Sequence, residues 1–358
     1  MKRLITPACL MVICLLGLAE LGARVFFAQD ISGRFDYGYN PQAGFAEHRD
    51  GTVALLRAGG RRFYPQEFQR RRPPGVFRIM VVGDSVPRGP SLKEAYPWFL
   101  EEELRQHDIR AESINLAVAG YGARRCQIVL KKALEYDPSL VILHFDDYNK
   151  WEDEREWRRS QEFQGWHPRH WLMKIFIFRR LYEAKMEKVF WTLVPEEIRL
   201  RYAVNDADAQ VAAGADPKEV AARIKLAYDN AVENVALVRA RHIPVILVTQ
   251  CRLQEDAHHR LYLTDHGLDA LGESLAGSGA YHVSMKEVLS GKDIKAIFAN
   301  FSGHLHKEGH QLLARAIFEK IEQERAALGL PEPKVAVAER PREVKMSAQD
   351  AHAGIPKP

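Results

Sequence analysis

Two places in the chain hold residue types whose spacing could do chemistry. The apolar run Phe77–Val82 leads directly into Gly83-Asp84-Ser85. A serine at the carboxyl end of a buried strand, preceded by a glycine that permits a tight turn, can project into a crevice. Backbone N–H groups there can face a developing oxyanion. The same serine could instead be a turn residue or a helix N-cap. Towards the other end of the chain, His304, His306 and His310 stand close together. Their spacing could mimic a metal cluster, but no carboxylate or cysteine motif accompanies them, so no metal and no other cofactor is expected.

The elements that must position these residues follow from hydrophobic patterning. Four continuous apolar runs, Phe77–Val82, Ser113–Val118, Leu140–Phe145 and Pro244–Thr249, read as parallel strands covered on both faces. Helical patterns lie between and after them, at Tyr96–Gln106, Cys126–Tyr136, Pro217–Arg241 and Glu308–Leu328. Asp216 is the expected N-cap of the third, with Pro217 in its first turn and Glu219 completing a capping-box pattern. Such alternation implies a three-layer α/β/α fold with a mostly parallel central sheet, and a ligand site at the carboxyl ends of the strands.

Charge and length set the remaining bounds. The 358 residues carry 51 basic and 47 acidic side chains, a net charge of +4, which is too near balance to suggest nucleic-acid binding. Lys2 and Arg3 precede a charge-free stretch from Leu4 to Ala19, so residues 1–29 are expected to be an uncleaved signal anchor, single-pass, with the rest extracytoplasmic. Residues 30–330 form the α/β domain. Within it, about 151–205 holds five of the six tryptophans among many Arg and Lys. Either an inserted helical subdomain with its own small core or a lid or membrane-facing patch fits that composition. The Pro-rich stretch 331–358 is expected to be a disordered tail. Outside the leader only Cys126 and Cys251 could form an intrachain disulfide; whether they pair is left open, as is the oligomeric state.

Phe77-Arg78-Ile79-Met80-Val81-Val82-Gly83-Asp84-Ser85 resembles the first block of the SGNH/GDSL hydrolase superfamily, whose fold is flavodoxin-like and whose nucleophile is the block's serine, here Ser85. The likeness runs from about Tyr37 to Phe145 and from about Pro244 to Glu322. It implies an oxyanion hole made by the N–H of Ser85, by Gly120 in Asn115-Leu116-Ala117-Val118-Ala119-Gly120, and by Asn149, or in another register Asp147, of Asp146-Asp147-Tyr148-Asn149-Lys150. An ionised Asp147 would repel the oxyanion, so Asn149 is the favoured register. The histidine block, His304-Leu305-His306-Lys307-Glu308-Gly309-His310, makes His304 the base, with His306 and His310 as helix-entry and surface residues. The family's acid stands three residues before the histidine, where this chain has Phe301. His304 would then be held by a backbone carbonyl or Asn300, or backed by an acid from elsewhere, such as Asp265, Asp269 or Asp293.

The resemblance implies an exported serine esterase or acyltransferase acting on acyl esters of envelope glycans or lipids. Phe301 motivates the alternative, an inactive or weakened envelope protein of the same fold that binds a glycan or a protein partner.

Overall fold

The computed structural model describes residues 7–26, 44–55, 63–146, 175, 177, 216–277 and 279–330. The tail, nearly all of the tryptophan-rich insert, and Asp147, Asn149 and Lys150 lie outside these residues.

Five strands form one parallel sheet: β4 (Phe77–Val82), β5 (Ala111–Asn115), β6 (Leu140–Phe145), β7 (Val245–Thr249) and β10 (Ala280–Ser284), in the order β10-β7-β6-β4-β5. The central β4 and β6 are buried at every position, the pattern that made them legible as continuous apolar runs. β5 begins two residues earlier than expected. Leu116 and Val118 nevertheless continue alongside β4 through N–H bonds to the carbonyls of Val81 and Gly83. β10 went unrecognised because it is an edge strand whose Tyr281 and His282 are only half-buried, which interrupts the apolar run.

Helices cover both faces. On one side pack α4 (Ala123–Ala133) and α5 (Pro217–Arg239), burying Cys126, Val129, Leu130, Ala231, Val235 and Val238 against the sheet. On the other lie α3 (Tyr96–Gln106) and, following the short helices α6 (Leu268–Leu275), α7 (Met285–Leu289) and α8 (Ile294–Ile297), the helix α9 (Lys307–Gln323); α3 and α9 contribute Leu100, Leu104, Leu313, Ile317 and Ile321. Asp216 caps α5 as expected, its carboxylate accepting from the N–H of Lys218 at 2.9 Å. The two faces separate the cysteines, for Cys126 belongs to one core and Cys251 to the other, and both are buried free thiols.

Two small antiparallel sheets are additions that short strands of 3 or 4 residues did not reveal. One consists of β1 (Phe45–Glu47), β2 (Thr52–Leu55) and β3 (Gln66–Gln69); the other is the hairpin β8 (Arg252–Glu255) and β9 (Leu261–Thr264). Arg78 of β4 joins the first to the main sheet. Fully buried, it pairs with Glu112 at 2.6 Å and donates to the carbonyls of Gln69 (2.7 Å) and Tyr136 (2.5 Å), as a buried guanidinium requires.

The leader is helical, α1, from Pro7 to Phe26, and leaves Leu10, Leu15, Leu16, Leu18 and Leu21 more than half exposed. Among the described residues, which do not include Leu4 to Thr6 of the expected anchor, no helix is long and apolar enough to cross a membrane.

Candidate active site

Ser85 stands at the carboxyl end of β4 as the first residue of a short helix, α2 (Ser85–Arg88), with Asp84 as N-cap accepting from the N–H of Val86 at 3.1 Å. Gly83 is sterically required: a Cβ there would lie 2.6 Å from Pro87 Cγ and 2.9 Å from His144 Cβ. Behind the turn, buried Asn115 donates from Nδ2 to the carbonyl of Pro87 at 2.8 Å and accepts from the N–H of Ala117 at 3.1 Å. It thereby ties the serine turn to the end of β5. Gly120 follows in a tight turn at φ +79°, its carbonyl accepting from Arg125 at 3.0 Å. The third expected oxyanion donor, Asn149, and its alternative Asp147 fall outside the described residues.

His304 reaches the serine across the sequence. Its Nε2 lies 2.8 Å from Ser85 Oγ, and its Nδ1 lies 3.0 Å from Asn300 Oδ1. The backbone N–H groups of Ser302 (3.0 Å) and His304 (3.4 Å) point at the same Asn300 oxygen. Backbone N–H groups can only donate, so the atom they face is the carbonyl oxygen of the amide. It follows that Nδ1 carries the histidine proton and Nε2 presents its lone pair to the serine hydroxyl. That is the tautomer a general base needs.

The loop bearing His304 is fastened to the exit of β7. Gln250 donates to the carbonyl of Ser302 at 3.0 Å, and the N–H of Leu253 to that of Phe301 at 3.3 Å. Gly303, at φ +88°, has no room for a side chain, since a Cβ would lie 2.5 Å from the carbonyl oxygen of Cys251. Phe301, in the family's acid position, is 54% exposed and turned to solvent. The three acids considered as substitutes are committed elsewhere. Asp265 pairs with Lys286 at 2.7 Å; Asp269 accepts from Thr249 and, at 2.7 Å, from Ser284; Asp293 caps the N–H of Lys295 at 3.0 Å. Asn300 therefore takes the third position.

Burial holds the pKa of His304 below the usual histidine value, the charge of Asp146 opposes that effect, and Arg252 adds to it. Asp146, at the end of β6, forms a buried ion pair with Arg252 at 2.8 Å. Asp84, also buried, hydrogen-bonds the Asp146 carboxyl. Its pKa is pushed well above the usual carboxylate value first by burial and then by that neighbour.

His306 is exposed at the N-cap position of α9, as expected of a helix-entry residue. His310 is not the surface residue anticipated. It is 1% exposed, because the first turn of α9 lies against α3, where its ring is 6.4 Å from that of Tyr96. The buried ring of His144 also stacks with Tyr96, at 5.8 Å. Among the described residues no group of three or more His, Cys, Asp or Glu could hold a metal ion.

Burial lowers His144 to about 3 and His310 to about 4. Between the unfolded value near 6.5 and these folded values, the unfolded chain binds protons that the native protein does not, so stability falls as pH falls through that window. Glu101, raised by burial to about 7, and Asp84 act with the opposite sign. The observable is therefore a difference: His144→Leu should lose less unfolding free energy than wild type between pH 7 and pH 4.5, by about 2 kcal/mol. Parallel urea-unfolding curves for the two proteins across that interval would show that His144 is not held neutral.

No family model and no curated relative matches the chain. Solved structures do. An acetyl xylan esterase covers 68% of this chain and 99% of its own at 12% identity and a TM-score of 0.41. A family 3 carbohydrate esterase from Clostridium thermocellum covers 71% and 100% at 11% identity and a TM-score of 0.40. A GDSL-like lipase from Bacteroides thetaiotaomicron covers 69% and 88% at 12% identity and a TM-score of 0.37. The chain is similar to GDSL-type acylhydrolases and esterases.

Proposed function

We propose that the protein is a serine ester hydrolase in which Ser85 is the nucleophile and His304 the general base. The observation that carries this is the relay Ser85 Oγ, His304 Nε2 at 2.8 Å, then His304 Nδ1 to Asn300 Oδ1 at 3.0 Å. His304 takes the hydroxyl proton as Ser85 Oγ attacks the acyl carbonyl, then returns it to the leaving alcohol as the C–O bond breaks. Water, deprotonated by the same histidine, attacks the acyl-enzyme and releases the acid with Ser85 restored. A sugar or lipid hydroxyl in place of that water would make the step an acyl transfer. The N–H groups of Ser85 and Gly120, with the side chain of Asn149, are the proposed oxyanion donors.

A fluorophosphonate, which phosphonylates an activated serine with loss of fluoride, is the direct test. Wild-type protein should be labelled and Ser85→Ala should not. Equal absence of label, with no cleavage of small acetyl esters, would leave the binding-only alternative that Phe301 motivates. The dyad contact favours the enzyme, because a residue retained only for shape has no need of a lone pair aimed at a hydroxyl.

The natural substrates we propose are acyl esters of envelope glycans or lipids, met on the extracytoplasmic side of the cytoplasmic membrane. Support comes from Lys2 and Arg3 before the charge-free Leu4–Ala19 and from the exposed leucines of α1. The full chain should stay in the membrane pellet after alkaline carbonate washing. Recovery in the supernatant with a shortened N-terminus would show a cleaved signal instead.

A further inference from the structure

Ser85 opens a helix of only four residues, α2, and a single turn does not hold itself, because nucleation fixes several dihedrals for one hydrogen bond. Contacts from outside must fix it. Within the turn, the N–H of Arg88 donates to the carbonyl of Asp84 at 3.3 Å, and that of Gly89 to the carbonyls of Ser85 (3.1 Å) and Val86 (3.0 Å). The carbonyls of Pro87, Gly89 and Pro90 accept from side chains instead. Asn115 supplies the first, at 2.8 Å. Tyr64 supplies the others: its Oη lies 3.0 Å from the Gly89 oxygen and 2.9 Å from that of Pro90, so one hydroxyl proton is shared between two adjacent carbonyls. The guanidinium of Arg88, the last residue of α2, lies 4.2 Å from the centroid of the same ring.

Gln66, at the start of β3, reaches the same turn by a second route. Its Nε2 donates to the carbonyl of Asn115 at 2.9 Å, and its Oε1 accepts from the N–H of Asn115, also at 2.9 Å. The side-chain amide thus offers β5, the edge strand, the donor and acceptor that a neighbouring backbone would offer. It fixes the residue whose own side chain holds Pro87. Phe63, immediately before Tyr64, is buried and packs its ring against that of Phe45 in β1 at 5.1 Å, so the segment is rooted in the core.

We propose that Tyr64 and Gln66 are positioning residues for the nucleophile, which makes the small sheet β1–β3 a clamp that sets Ser85 Oγ against His304 Nε2. This rests on the hydrolase reading above. Neither residue touches the reacting atoms: Tyr64 acts through the carbonyls that follow α2, and Gln66 through Asn115. A nucleophile displaced by about 1 Å loses on the order of a hundredfold in rate. Each contact partly covers for the other, so either loss alone should cost less than the loss of both.

The test measures kcat and KM for a small acetyl ester, and the rate of fluorophosphonate labelling, in Tyr64→Phe, Gln66→Met and the double variant. Beside them stands Val53→Ala, which truncates a fully buried valine of β2 and weakens the same sheet while leaving both contacts in place. Tyr64→Phe keeps the ring beside Arg88. It and Gln66→Met should each lower kcat and the labelling rate by about tenfold, and the double variant by about a hundredfold, with KM unchanged. The acidic limb of the pH profile should stay in place, because His304 and Asn300 are untouched. Val53→Ala should lower the thermal midpoint at least as far as Tyr64→Phe and leave kcat within about twofold of wild type. Wild-type kcat in both single variants, a raised KM in place of a lowered kcat, or an equal loss of kcat in Val53→Ala overturns the clamp and leaves the hydrolase standing. Wild-type protein that is neither labelled nor active on any ester overturns both.

Discussion

Alanine at His304 should lower kcat/KM for an activated acetyl ester by about 10³- to 10⁵-fold, and alanine at Ser85 by a similar factor. A serine hydroxyl is a weak nucleophile near neutrality unless its proton is accepted as the bond to carbon forms. The only base in contact with Ser85 Oγ among the described residues is His304 Nε2, at 2.8 Å. Because the two side chains act as one unit, the double variant Ser85→Ala/His304→Ala should be no slower than the slower single variant. Residual rate would come from the oxyanion donors and from substrate binding. Steady-state kinetics on the three variants checks this. His304→Ala retaining more than a tenth of wild-type activity would assign the base elsewhere, and effects that multiply in the double variant would show that the two residues act separately.

Asn300→Asp should raise kcat by about ten- to a hundredfold, and Asn300→Ala should lower it by a comparable factor. With Asn300 in place, the imidazole already has the correct tautomer, because Oδ1 is held by the N–H groups of Ser302 and His304 and accepts from His304 Nδ1. What an amide cannot supply is negative charge for the imidazolium that forms as Ser85 attacks. A carboxylate in the same place keeps all three acceptor contacts and adds that charge. The pH profile should move as well. With Asn300, burial keeps His304 below its usual value, so the acidic limb of kcat/KM lies below pH 6.5 and activity persists into mild acid. Aspartate favours the protonated ring, so its limb should shift to higher pH even as the plateau rises. A variant that changes neither plateau nor limb would mean that Asn300 is not the group behind His304. Loss of activity without a shifted limb would mean that the Asn300→Asp substitution disrupts the loop.

Parts of this site were legible because they depend on local sequence. A parallel strand covered on both faces must be apolar throughout, which β4 and β6 are, and Gly83-Asp84-Ser85 follows β4 without a gap. Features that depend on an edge or a short pairing were not. β10 lies at the sheet's margin and mixes polar with apolar residues, and β1–β3 and β8–β9 are too short to show a period. Asn115 and Gly303 belong with these: an asparagine bracing the Pro87 carbonyl, or a glycine under the Cys251 carbonyl, has no signature until the turns are folded.

His310 shows the limit most clearly. A histidine in the first turn of a terminal helix has the pattern of a surface residue, yet packing of α9 against α3 buries it beside Tyr96. The cysteines present the converse case, two buried residues available to pair by elimination but held on opposite faces of the sheet.

From the sequence alone came an α/β chain with its strands and helices in alternating order, a nucleophile at the end of the first strand of the parallel sheet, and a histidine without the family's acid. Hydrophobic periodicity and turn chemistry act over a few residues, so they leave their mark in the order of residues. Only the tertiary structure decided what stands behind His304. That choice turned on a hydrogen bond across four residues and a contact between residues 219 apart. It also turned on the commitment of Asp265, Asp269 and Asp293 to Lys286, to Thr249 and Ser284, and to the Lys295 N–H. Hydrogen bonds are directional and saturable, so which acceptor is still available to a base is a property of the folded molecule.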